Sequence, residues 1–131
     1  MTKIIILLAM IFLHIVDDYY LQGILAQLKQ KSWWDAHAPD ELYKRDYIIA
    51  LIEHAFSWTF MMMLPIMVAW YSGVITVDAP DFIVAFIINC GVHAIVDHQK
   101  ANKRTINLTQ DQLIHIFFIL LTAFHFLILH N

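Results

Sequence analysis

Only three glycines and three prolines punctuate the 131 residues, which leaves little turn material. Charge is equally scarce. Asp, Glu, Lys and Arg make up 15% of the chain, against about a quarter in soluble globular domains. The net charge is −3 and no basic stripe exists beyond short loop clusters, so no nucleic-acid surface is expected. The lone cysteine, Cys90, excludes an internal disulfide and reads as a small core residue. No serine or cysteine sits with a partner that would make it a nucleophile.

Hydrophobic residues, at 60%, dominate what is there. Four stretches, at about 3–25, 46–72, 81–98 and 110–130, approach or exceed the roughly 20 apolar residues that cross a bilayer. The first carries a polar stripe and no small-residue cleavage site, so it reads as a retained helix and not as a signal peptide. The expectation is all-α: one integral membrane domain over residues 1–131, folded as a four-helix bundle.

Loop chemistry orients it. Lys29, Lys31, Lys44 and Arg45 fall in the first loop, and Lys100, Lys103 and Arg104 in the third. The second has only Asp78 and, at its end, Asp81. The positive-inside rule then puts loops one and three in the cytoplasm and both termini outside, with Lys3 the single objection. Trp33 and Trp34 suit an interfacial segment at about 26–45, and Trp70 and Tyr71 the outer interface. Pro80 fits a helical first turn, and Thr109 with Gln112 a capping box for the last helix.

The polar residues inside the spans carry the chemistry. "HIVDDYYLQ" sets His14, Asp18 and Gln22 four apart, on one helical stripe. "HAIVD" repeats the spacing with His93 and Asp97, and "DQLIH" reverses it with Asp111 and His115. "EH" adds Glu53 and His54. With the orientation taken from Lys and Arg alone, all four sets fall in the cytoplasmic half. They can meet.

Each aspartate near a helix centre costs about 2.5–3.5 kcal/mol on insertion scales, and three approach about 10. A bound dication offsets that, since structural zinc binds with about 10–16 kcal/mol in favourable cases. His14, Asp18, His54, His93, Asp97, Asp111 and His115 form the expected ligand set. Without cysteine they suit a divalent metal, zinc first, manganese or iron next, with enough donors for two ions. Asp17 lies about 100° off the stripe and reads as a supporting or interfacial acid. Glu53 is an equally open acid. His37, His125 and His130 read as bystanders. Met61, Met62 and Met63 read as packing or lipid-facing residues, as do Tyr19 and Tyr20 as packing or interfacial ones.

Each pattern also has a plainer origin. A single His–Asp pair serves well as an interhelical hydrogen bond, and Asp111 suits a first helical turn.

Taken together, H-x-x-x-D-x-x-x-Q (His14, Asp18, Gln22), the second-helix His54, H-x-x-x-D-x-x-K (His93, Asp97, Lys100) and D-Q-x-x-H (Asp111, Gln112, His115) resemble a small family of uncharacterised bacterial and phage membrane proteins. They are more distantly similar to membrane-bound metal-dependent hydrolases. The resemblance spans nearly the whole chain. Many members have a glycine before the first aspartate and an aromatic after it. Asp17 and Tyr19 stand there in this chain, which leaves open which carboxylate binds.

The resulting expectation is a multi-pass protein of the bacterial inner membrane. It would be a metal-dependent hydrolase of a lipid-like or phosphorylated amphiphile, alone or as a homo-oligomer. The ion would activate water, Asp17 or Glu53 would act as general base, and Lys100 would hold an anionic phosphate. Three rivals stand beside it: a proton or ion relay through the same His and Asp residues, a haem protein with histidines paired across helices, which the neighbouring aspartates disfavour, and a non-catalytic interaction protein with a structural metal.

Overall fold

A computed structural model describes residues 1–129. His130, expected to be a bystander, lies outside the described residues. The chain is all-helical, with no strand among the described residues. Helix α1 (Thr2–Val16) runs into a widened π turn at Asp17–Leu21. Two short helices follow, α2 (Leu25–Leu28) and α3 (Lys31–His37), then a 3-10 turn at Glu41–Tyr43. Helix α4 is Asp46–Tyr71. Helix α5 (Ala79–His98) continues through a π turn at Gln99–Lys103, and α6 (Leu108–Phe124) through another at His125–Leu129.

Four of these helical stretches are long and apolar enough to cross a membrane: Thr2–Leu21, Glu41–Tyr71, Ala79–Lys103 and Leu108–Leu129. At 1.5 Å per residue the shortest, 20 residues, reaches about 30 Å. Helix α4 packs against α1 and α5, and α6 packs against the other sides of the same two. The bundle is therefore a closed ring, α1–α4–α5–α6. Its outside is a belt of exposed Ile, Leu, Val and Phe, including Ile83, Val84, Ile87, Ile88 and Ile95 along α5.

The interior divides in two. One half is apolar, built on Met10, Met62, Met63, Ile66, Ile119 and Phe126, none measurably exposed. The other half, nearest the 22–45 and 99–107 connections, is polar. Trp58, 1% exposed, forms the floor between them. Met62 and Met63 thus pack inside, while Met61 is half-buried. Tyr19 and Tyr20 are exposed.

Local chemistry sets several boundaries. Gly23 takes a left-handed φ of 50°, open to a residue without Cβ, just after the first span. Pro80 lies in the first turn of α5, where a missing N–H costs nothing. The capping box of α6 is not Thr109 with Gln112: Asn107 accepts from the Gln110 backbone, and the Gln110 side chain accepts from the Asn107 N–H. The helix starts one residue before Thr109, and this frees Gln112 to face the interior. Cys90 is half-buried and so lies outside the fully buried core.

Candidate metal centre

All seven expected ligands are buried, the most exposed being Asp18 at 9%. They come from all four long helices. The i, i+4 stripes account for α5 and α6, where His93 with Asp97 and Asp111 with His115 project from one face. In α1 the π turn does more. The Gln22 N–H reaches back five residues to the Asp17 carbonyl at 3.0 Å, so the backbone widens at the two acids. Both Asp17 and Asp18 are buried as a result.

Six of the seven form a contiguous donor set. His54 Nε2 lies 3.4 Å from Asp18 Oδ1 and 3.4 Å from Asp97 Oδ2. His115 Nε2 lies 3.4 Å from Asp111 Oδ1 and 3.9 Å from Asp97 Oδ1. His93 Nε2 lies 3.8 Å from Asp97 Oδ2. None of these is a hydrogen bond. Both nitrogens of His54 and of His93, together with His115 Nε2 and Asp111 Oδ1, are buried without a hydrogen-bond partner. Native interiors rarely leave such atoms unpaired, because each costs about 1–3 kcal/mol. The spacing explains them. Ligands about 2.0–2.1 Å from a tetrahedral ion stand about 3.3–3.4 Å apart. Two groups, Asp18–His54–His93 and His93–Asp97–His115, each present three donor atoms within 4.8 Å of one another. The residues fit a divalent cation.

His14 stands apart. Trp58 Nε1 donates to His14 Nδ1 at 2.6 Å, and an indole N–H can only donate. The proton of a neutral His14 is therefore on Nε2, which donates to Gln112 Oε1 at 3.1 Å. The Gln112 amide then donates to Asp18 Oδ2 at 3.3 Å and Asp111 Oδ2 at 3.1 Å. Both His14 nitrogens are spent. In this arrangement it orients carboxylates and offers no donor to a metal.

Asp17 is not interfacial. It accepts from Ser57 Oγ at 2.6 Å and its other oxygen faces His54 Nδ1 at 3.7 Å. A carboxylate behind an imidazole sets which nitrogen faces a metal. Glu53 is exposed, because on α4 it lies about 100° from His54, and burying the histidine turns the glutamate out. It is not part of the cluster. Gln22, the last residue of the stripe, donates to the Asp18 carbonyl within its own turn.

Two lysines roof the site. Lys100, from the π turn after α5, pairs with Asp111 Oδ2 at 2.6 Å. Lys29, which no sequence pattern singles out, pairs with Asp97 Oδ2 at 2.5 Å. Its position is held by Asn102, which donates to the Lys29 carbonyl at 3.0 Å and accepts from the Lys31 N–H at 2.7 Å. The first loop thus docks on the end of α5. His37 stacks on Trp33 at 4.5 Å, away from the cluster. His125 pairs with Asp81 at 2.7 Å, beyond the apolar core.

Within the roof and floor, four carboxylates (Asp17, Asp18, Asp97 and Asp111) face two ammonium groups. With neutral imidazoles, two negative charges are left over in a buried space. The fold and the site define an all-helical chain with four potential membrane spans and a buried His/Asp group able to hold a metal ion. No family model, curated protein or solved structure matches the chain.

Proposed function

We propose that the chain is a membrane-embedded metalloprotein that hydrolyses a phosphorylated or lipid-like amphiphile at the cytoplasmic leaflet of a bacterial inner membrane. The observation that carries the metal is the set of unpartnered imidazole nitrogens on three helices, with His54 Nε2 and His115 Nε2 about one tetrahedral edge (3.4 Å) and His93 Nε2 3.8 Å from a carboxylate oxygen. Zinc heads the candidates for an N/O donor set without cysteine, with manganese and iron next.

A dication at this point supplies a Lewis acid and makes water nucleophilic near neutral pH. The chain's own residues do the rest. Asp17 stands behind His54, and Trp58, His14 and Gln112 hold Asp18 and Asp111 in register. Lys29 and Lys100, on the loop side, are placed to receive an anionic headgroup. A groove of about 380 Å3 lies between α4 and the end of α5, lined by Tyr47, Leu51, Ile52, Ala94, His98 and Lys103. Its apolar wall with a cationic end suits one chain of an amphiphile.

The test is hydrolysis of phosphate esters presented in detergent micelles, by protein depleted of metal and then reloaded. Turnover that appears only on reloading supports the proposal. No turnover on any amphiphile, with metal bound, leaves a structural staple.

One observation favours a proton relay instead. Polar residues recur along the α5–α6 seam: Asp81 with His125, Asn89 with Thr122 at 3.0 Å, then His93 with His115. Intramembrane chains of such groups carry protons in transporters. Proton flux into liposomes that is lost in Asn89→Leu would favour this second reading.

A further inference from the structure

The two donor groups share His93, and the Asp97 carboxylate faces both. Asp97 turns Oδ2 towards His54 and His93, at 3.4 and 3.8 Å, and Oδ1 towards His115, at 3.9 Å. Asp18 Oδ1 closes the first side, and Asp111 Oδ1 closes the second, each 3.4 Å from its own histidine. One oxygen of the same side chain therefore faces a histidine of each group. His93, whose ring stacks on His115 at 4.3 Å, stands between them with both nitrogens unpartnered.

We infer that the centre takes two divalent cations bridged by the Asp97 carboxylate. One is held by Asp18 and His54 with Asp97 Oδ2, the other by His115 and Asp111 with Asp97 Oδ1. His93 completes one of the two shells. This inference rests on the metal reading above and deepens it. A carboxylate that bridges through its two oxygens sets cations about 3.5–4 Å apart, the spacing of sites that clamp both oxygens of a phosphoryl displacement. Charge then selects the substrate. One dication cancels the two unbalanced negative charges, whereas two dications turn the balance to two positive. A phosphate monoester dianion restores neutrality, and the ammonium groups of Lys29 and Lys100 lie on the same loop side to receive it.

The paired reading separates from a single-ion site by counting. Wild-type chain in detergent is loaded with Mn2+, dialysed, and examined by elemental analysis and electron paramagnetic resonance. The expected result is two Mn2+ per chain with an exchange-coupled spectrum. In Asp111→Asn the expected result is one Mn2+ per chain and an uncoupled six-line signal. One Mn2+ in the wild type overturns the bridged pair and leaves the metal reading standing. Two uncoupled ions overturn it as well, since Asp97 then joins nothing. No bound Mn2+, with no other divalent metal retained, overturns both. The wild-type count decides the matter even where the variant fails to fold.

Discussion

Trp58 and His14 are joined by one hydrogen bond of 2.6 Å, and its direction removes His14 from the donors that face a metal. The indole fixes the imidazole tautomer, the imidazole fixes the Gln112 amide, and the amide fixes two carboxylates, Asp18 of the first span and its own neighbour Asp111. Phe in place of Trp58 keeps the ring and deletes the donor. Trp58→Phe is expected to lower stability in detergent by about 1–3 kcal/mol, the cost of a buried acceptor left unpaired. It should retain bound metal at reduced affinity. A thermal melt with a metal titration reads both. Unchanged behaviour in both would mean that the bond orients nothing.

Asp17 reaches the site only through His54. Replacing it with Asn keeps the size and removes the charge behind the imidazole. The expected outcome for Asp17→Asn is a metal affinity about 10–100-fold weaker with the number of bound ions unchanged. Competition with a chromophoric chelator measures it. A lost ion would make Asp17 a ligand.

The roofing lysines are expected to serve substrate and not metal. Lys29→Ala and Lys100→Ala should each reduce phosphate-ester turnover by about 100-fold, the scale of a lost electrostatic clamp. Metal content should stay at the wild-type level in both. Glu53→Gln is the control on the neighbouring face. Its exposure predicts a change in stability within about 0.5 kcal/mol and no change in turnover. A strong effect of Glu53→Gln would contradict its exclusion from the cluster.

Much of this centre is legible along the chain, because a helix converts four-residue spacing into a stripe. His93–Asp97 and Asp111–His115 follow from that alone, as do the four spans from their length and hydropathy. What spacing does not carry is a change of helical period. The π turn at Asp17–Leu21 buries two successive acids where a regular helix separates them by about 100°. Nor does it carry long-range pairing. Lys29 lies 68 residues from Asp97 and is indistinguishable in sequence from any interfacial lysine. Trp58 reads as bulk hydrophobe until its N–H finds His14. The start of α6 is ambiguous in sequence for a simpler reason: two overlapping capping patterns compete, and Asn107 with Gln110 wins over Thr109 with Gln112.

Topology follows from the lysines and arginines of the first and third connections. Both termini are expected outside, with the cluster on the cytoplasmic side. A reporter active only in the periplasm, fused to the C-terminus, should give signal. Signal only from a cytoplasmic reporter would invert the side from which substrate enters.

Whether the cluster holds metal at all is decided by elemental mass spectrometry on the wild-type chain, purified in detergent without chelator. The expected result is a stoichiometric divalent transition metal or zinc, lost in His93→Ala and retained in His125→Ala, whose side chain lies beyond the apolar core. Wild-type protein that carries no such metal, and takes none up on reloading, would contradict the metal centre and leave the buried histidines and aspartates as a proton path.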